Sequence, residues 1–272
     1  GVTYQIVFAG ALVACLLLPT LAPAAEQATS INLQEVSDMT GIEFRHTDGS
    51  SGQRYIVETV TAGLALFDFD NDGDIDIYFL NGAPLRGSEA SSPPRNALYR
   101  NNGNWQFTDV TDRASVGDTG FGLGVAAGDY DNDGDQDLYV NNYGPNVLYR
   151  NNGDGTFEEV TEVAKVSGGD RMGAGACFLD IEGDGDLDLY CSNYVLFAYE
   201  NHIFPVVGGF PKYAGPKDFE PTADILFRNN GDGTFTDISE EAGIANHPGT
   251  GMGVVCLDYE NDGDTDIVVM ND

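Results

Sequence analysis

Asp129-Tyr130-Asp131-Asn132-Asp133-Gly134-Asp135-Gln136-Asp137 sets five carboxylates in nine residues, one at every odd position, with a glycine after the third. The pattern returns three times: Asp68-Phe69-Asp70-Asn71-Asp72-Gly73-Asp74-Ile75-Asp76, Asp180-Ile181-Glu182-Gly183-Asp184-Gly185-Asp186-Leu187-Asp188 and Asp258-Tyr259-Glu260-Asn261-Asp262-Gly263-Asp264-Thr265-Asp266. A single copy could be a solvated acidic turn. Four copies argue otherwise, because carboxylates this close repel one another unless a cation sits among them. Calcium accepts roughly 6 to 8 oxygen ligands in a loose geometry, whereas magnesium demands a near-ideal octahedron and oxygen-only ligation disfavours zinc and copper. The glycine at position six can take positive φ and turn the chain back on itself. The spacing therefore implies about four Ca2+ sites. Their candidate ligands are Asp68, Asp70, Asp72, Asp74 and Asp76; Asp129, Asp131, Asp133, Asp135 and Asp137; Asp180, Glu182, Asp184, Asp186 and Asp188; and Asp258, Glu260, Asp262, Asp264 and Asp266. Glu182 and Glu260 are one methylene longer than Asp, so the third and fourth sites are expected to be weaker or displaced.

An EF-hand begins in the same way but requires a bidentate Glu at position twelve. That position is Phe79, Val140, Cys191 or Val269 here, which excludes it. The flanks are strand-like as well. Gly-containing apolar runs precede each loop, and short β-branched or aromatic runs such as Ile77-Tyr78-Phe79-Leu80 and Leu138-Tyr139-Val140 follow it.

Further along each unit comes a second shared segment. Asn96-Ala97-Leu98-Tyr99-Arg100-Asn101-Asn102-Gly103 is matched by residues 146–157 and 224–235, and each leads into a closing segment, FTDVTDRASV from Phe107, FEEVTEVAKV from Phe157 or FTDISEEAGI from Phe235. The Asn-Gly and Asp-Gly pairs supply the positive-φ residues of tight hairpins, which explains them better than a phosphate cradle would. Repeat one carries Asn104-Trp105-Gln106 where the others have Asp-Gly-Thr, so a different turn is expected there. The units run over about 63–116, 122–166, 173–244 and 251–272, the last stopping after its second strand. Residues from Ile31 resemble a closing segment, which suggests that the mature chain opens with the last strand of a repeat. Four short strands per unit at this period is the arithmetic of a propeller blade.

The DxDxDGxxD loop followed by LYVxN, with LYRNNGDGTFxxVT downstream, resembles the FG-GAP or VCBS-type repeats of integrin α-subunit propellers. It is closer still to the bacterial relatives of cartilage acidic protein, in which such repeats precede an ASPIC/UnbV domain. The resemblance covers residues 31–272 and implies an all-β fold, a β-propeller of four-stranded blades with calcium in the inter-strand loops. About seven blades complete such a ring. The chain supplies about three and a half, so an open arc with exposed strand edges is expected, the missing C-terminal blades belonging to a longer parent chain.

Composition narrows the function classes. Twelve Lys and Arg against 44 Asp and Glu give a net charge of −32, which leaves no basic surface for a nucleic-acid backbone. The four loops hold twenty of those acids. An apolar fraction of 42% still suffices for a packed core. Residues 1–25 read as a secretory signal peptide: an apolar run from Ile6 to Leu18, then Ala22-Pro23-Ala24 as the cleavage site, too short for a membrane span. A lipobox-like Leu12-Val13-Ala14-Cys15 is the alternative, with Cys15 as a lipid anchor. Secreted, periplasmic or cell-surface placement agrees with calcium modules whose affinity suits extracellular concentrations. Of the remaining cysteines, Cys177 and Cys191 sit equally far from the third loop and could form a disulfide in an oxidising compartment; small buried hydrophobes are the other reading, and Cys256 has no evident partner.

Two insertions interrupt the units, a polar one at 81–95 and an aromatic one at 195–222 with Phe197, Tyr199, His202, Phe204, Phe210, Tyr213 and Phe219. The aromatic loop is either a partner-binding surface or a cover for apolar edge. The three histidines, His46, His202 and His247, are scattered, and neither HExxH nor GxSxG occurs, so no catalytic residues are assigned. The sequence thus points to a non-enzymatic, exported, calcium-binding repeat protein that binds or adheres to a protein or glycan ligand. A propeller-scaffold enzyme acting on polysaccharide, or a surface module that bridges calcium between partners, are the alternatives.

Overall fold

A computed structural model describes residues 34–88 and 94–272. The expected signal peptide at 1–25, Cys15 and the start of the expected opening repeat strand lie outside the described residues. From Val36 onward the chain forms one compact unit. Where the opening strand was expected to end, a one-turn helix, Ser37–Thr40, is found.

The core architecture is a series of antiparallel sheets. The first contains β1 (Leu64–Phe67), β2 (Asp76–Phe79), β3 (Ala97–Asn101) and β4 (Phe107–Asp109), paired in chain order. The second repeats it with β5 (Phe121–Gly128), β6 (Asp137–Tyr143), β7 (Val147–Asn151) and β8 (Phe157–Glu159). The third comprises β9 (Gly173–Leu179) and β10 (Asp188–Asn193), then, after the small exposed hairpin β11 (Val206–Val207) and β12 (Phe210–Pro211), β13 (Ile225–Asn229) and β14 (Phe235–Asp237). A two-stranded sheet of β15 (Gly251–Leu257) and β16 (Asp266–Asn271) follows. Every acidic nine-residue motif bridges the first two strands of its sheet. The closing segments hold more than the strand read from sequence: after β4 and β8 the chain makes a one-turn helix, Thr111–Ala114 and Thr161–Ala164, each ended by a left-handed residue, Ser115 or Lys165. The first hairpin keeps the shared closing bond, Asn102 N–H to Gln106 C=O at 2.8 Å, but reaches it through positive φ at Asn104 and Trp105.

Apolar clusters lie between successive sheets. Phe67, Tyr78 and Leu98 meet Leu138, Val140 and Tyr149 between the first and second; Tyr139 and Leu148 meet Leu189, Ile225 and Phe227 between the second and third. Leu179, Tyr190 and Leu226 meet Val254, Cys256 and Ile267 at the third junction. The outer faces of the row stay exposed, Leu66 at one end and Tyr259 and Met270 at the other. Among the described residues, no helix is long and apolar enough to cross a membrane.

The glycines of the first strands set how closely neighbouring sheets approach. A Cβ on Gly124 would lie 1.7 Å from the Ala174 carbonyl oxygen, and one on Gly175 would lie 2.9 Å from that of Met252. Gly124→Ala must therefore push β5 and β9 apart, at a cost on the order of 1–3 kcal/mol or more. Gly253→Ala, with nothing within 4 Å of the added methyl, is expected to be nearly neutral. Urea unfolding of the two variants checks the contrast.

Candidate metal centre

Each acidic loop winds around its own first carboxylate. Asp129 Oδ1 accepts the Asp133 N–H at 3.1 Å and Oδ2 accepts that of Gly134 at 2.9 Å. Asp68 holds Asp72 and Gly73, Asp180 holds Asp184 and Gly185, and Asp258 holds Asp262 and Gly263 in the same way. Positive φ makes so tight a turn possible, 59° at Asn132 and 97° at Gly134. The carboxylate at position five then accepts the N–H of residue seven, as Asp133 does from Asp135 at 2.9 Å.

The ninth residue closes the loop from below. Asp137 is buried; its Oδ2 accepts the Tyr130 N–H at 3.0 Å and its Oδ1 the Asn151 N–H at 2.8 Å. Asp76 and Asp188 make the equivalent pairs, with Phe69 and Asn101 and with Ile181 and Asn229. Burial pushes the Asp137 carboxyl up to about 7 and that of Asp76 up to about 6.

The third residue is the unmatched one. Asp131 Oδ1 and Asp70 Oδ1 are buried without a hydrogen-bond partner, and burial raises both carboxyls. Ligand oxygens of Asp129, Asp131 and Asp137 lie within 4.8 Å of one another, as do those of Asp68, Asp70 and Asp76. A carboxylate with one oxygen buried and unpartnered beside two other acids is costly unless a cation neutralises it. An all-oxygen donor set of this kind fits a hard divalent ion. The first loop already has a partial substitute: Arg100 lies 2.8 Å from Asp70 and 2.9 Å from Asp72. In the second repeat Arg150 turns instead to Glu158 at 2.6 Å, so that it acts on Asp131 only from a distance and forms no salt bridge with it.

Not every residue expected from the sequence joins these groups. Asp72, Asp133, Asp184 and Asp262 accept a backbone N–H within the loop. Asp135 and Asp186 face a neighbouring loop, accepting the side-chain amides of Asn71 and Asn132 at 2.6 and 2.7 Å. Among the described residues, Asp74 and Asp264 enter no three-carboxylate group, nor do the third and fourth loops as sets. In the third loop Glu182 and Asp188 touch each other, burial raising both, with Arg228 3.9 Å from Glu182. The cross-loop Asn71 and Asn132 and the clamping Asn101, Asn151 and Asn229 were not singled out from sequence as site residues. Their recurrence at fixed motif positions is the signal that could have found them.

The aromatic insertion divides in two. Tyr194, Val195 and Phe197 are buried against Tyr55, Ile56, Leu85 and Phe121, and Tyr199 packs edge-on to Tyr55 with Arg86 over its ring at 4.2 Å. Phe204, Val206 and Phe210, which is 75% exposed, project outward around the small hairpin. The loop is therefore a cover at its base and an apolar surface at its tip.

Residues 68–140, 129–191 and 215–269 each match the FG-GAP-like repeat. Cartilage acidic protein 1 of Xenopus tropicalis is 30% identical over 228 residues, and that of Homo sapiens 28% over 228, each match covering 77% of this chain. The chain spans about 30% of the length of these curated relatives. A solved structure described as the basis of recognition of non-reducing terminal N-acetylglucosamine by an Agrocybe aegerita lectin aligns with a TM-score of 0.34 at 18% identity, covering 77% of this chain and 60% of that one.

In the cation-free protein Asp137 and Asp76 hold their protons at higher pH than in the unfolded chain. Folded carboxyls at about 7 and 6, against an ordinary value of 3.8, mean that the folded state binds more protons across that window. Stability in chelator must then fall as pH rises from about 4 to about 7. Calorimetry at pH 5 and 7.5 checks this, with Asp137→Asn expected to flatten the upper part of the decline.

Proposed function

The chain belongs to the FG-GAP-like repeat family, and from that membership and the loop geometry we propose that it is a calcium-stabilised β-propeller segment serving as an exported, non-catalytic binding module. The observation that carries the reading is Asp131 Oδ1, buried, unpartnered and grouped with Asp129 and Asp137. Calcium would be held by that trio and by Asp68, Asp70 and Asp76, supplying positive charge that Arg100 provides only in part in the first loop and no salt bridge provides at Asp131. Asp180, Glu182 and Asp188 would form a weaker third site, and Asp258, Glu260 and Asp266 a fourth. In this reading the four-stranded sheets are blades, and the ion ties the first two strands of each blade together.

Export is supported by the apolar segment from Ile6 to Leu18 with Ala22-Pro23-Ala24 after it. Calcium at extracellular levels can saturate modest sites, and a tenfold excess over the dissociation constant adds roughly 1.4 kcal/mol per site. A protein or glycan ligand would meet the exposed tip of the aromatic insertion, where Phe204 and Phe210 offer apolar surface on a rigid base.

Differential scanning calorimetry tests the metal. Calcium is expected to raise the melting temperature of chelated protein by several degrees, magnesium far less, and Asp131→Asn should remove about one site's share of the gain. A melting temperature indifferent to chelator overturns the proposal. Binding to glycan and envelope-protein arrays, with and without chelator, tests the second half, Phe210→Ser being expected to weaken it.

A further inference from the structure

The third sheet separates the two cysteines that its loop places symmetrically in sequence. Cys191 pairs across the ladder with Ala176, and both face the second sheet in the cluster that holds Tyr139 and Leu148. Cys177 pairs with Tyr190 and so points to the opposite face, with Leu179 and the fourth sheet. The disulfide between Cys177 and Cys191 is thus excluded by register: adjacent positions on a ladder point their side chains to opposite sides.

Cys177 has another neighbour. Gly175 lies against Met252 and Val254, close enough that a Cβ there would be 3.0 Å from the Val254 N. Two residues further along each strand come Cys177, on the face it shares with Leu179, and Cys256, packed against Leu179 and Tyr190, so both thiols turn into the junction of the third and fourth sheets, where Cys177 Sγ donates to the Phe178 carbonyl at 3.3 Å. Both are half-buried rather than sealed, whereas Cys191 is fully buried. The junction is also the one without a polar tie between its acidic loops. Asn71 reaches Asp135 and Asn132 reaches Asp186, but the equivalent position in the third loop is Gly183, which has no side chain to offer Asp264.

We propose that Cys177 and Cys256 are a redox-sensitive staple, forming a disulfide that joins the third and fourth sheets. Cys177 is the attacking group, because it is only half-buried and the neighbouring Cys256 thiol lowers its own, while burial pushes the Cys191 thiol up to about 12 and leaves it inert. The oxidant is a low-molecular-weight disulfide. The Cys177 thiolate attacks one sulfur of oxidised glutathione, breaks the S–S bond and releases one glutathione thiolate. Cys256, giving up its proton, then attacks the protein-bound sulfur, forms the Cys177–Cys256 bond and releases the second glutathione. One disulfide is consumed and one is formed, and the two protein thiol protons end on two glutathione thiols. The staple is independent of bound cation, so its failure and that of the calcium reading are distinguishable.

The test uses the whole chain in a Cys15→Ser background, equilibrated with oxidised and reduced glutathione at ratios spanning an oxidising compartment, then alkylated and digested. The expected result is a peptide pair linked through Cys177 and Cys256, loss of two of the three remaining thiols, and a melting temperature several degrees higher that dithiothreitol reverses. Cys191→Ser keeps the link and Cys256→Ser abolishes it. Should a serine variant fail to fold, the linked peptide in the parent chain still decides. Full alkylation of all three thiols, a reaction that stops at the glutathione adduct, or a link through Cys191 overturns the proposal.

Discussion

Asp76, Asp137 and Asp188 each sit at the foot of an acidic loop, buried, with both oxygens accepting backbone N–H groups. One of those groups belongs to the loop that joins the first two strands, and the other to an asparagine at the end of the third. A single carboxylate thereby fixes three strands. The asparagine passes the constraint on: Asn151 Nδ2 donates to the Phe69 carbonyl at 2.8 Å and Asn229 Nδ2 to that of Tyr130 at 2.8 Å, both in the preceding loop. Order within a sheet and order between sheets therefore depend on the same buried acid.

That dependence creates an electrostatic difficulty. Burial raises these carboxyls, and the loops crowd further acids around them. Backbone donors satisfy the first, fifth and ninth positions but leave the third unmatched, at Asp70 and Asp131. The first repeat answers with Arg100 and the second does not. Charge rather than packing distinguishes otherwise similar repeats, and the site without an arginine salt bridge is the one whose stability is most open to an added cation.

Strand order and loop placement were legible in the sequence because a period-two apolar pattern and glycine-rich turns act locally. The acidic loops were legible for the same reason, their chemistry lying within nine residues. What escaped was set by contacts between units. The one-turn helices at Thr111–Ala114 and Thr161–Ala164 are too short to show a helical period and are fixed by Thr111 and Thr161, whose hydroxyls accept the Leu98 and Leu148 N–H at 2.9 and 2.8 Å. The opposite facing of Cys177 and Cys191 escaped because equal spacing around a loop says nothing about which face a strand residue takes. Asp135 and Asp186 resembled ligands of their own loops, yet their carboxylates meet the neighbouring ones.

The third junction departs from the pattern in a second, independent way. In the first two sheets a buried tyrosine, Tyr78 or Tyr139, donates its hydroxyl to the carbonyl of Val116 or Val166, beside a buried asparagine, Asn96 or Asn146. The third sheet has Asp224 in the asparagine's place. A carboxylate cannot donate, so Tyr190 turns its hydroxyl to Asp224 at 2.6 Å, and the other oxygen accepts the Asn193 N–H at 2.7 Å. The one-turn helix is lost there too, replaced by a turn and the 3-10 segment Ile244–Asn246, and a cleft lined by Tyr190, Asp224 and His247 opens. Glycine for asparagine in the loop and aspartate for asparagine in the strand both withdraw a donor at this junction. Cohesion beside the acidic loops there falls to apolar contact, and the polar ties sit at the opposite end of the strands, where Ser192 Oγ donates to the Met252 carbonyl at 3.3 Å and the Tyr194 hydroxyl to Asp272 at 2.7 Å.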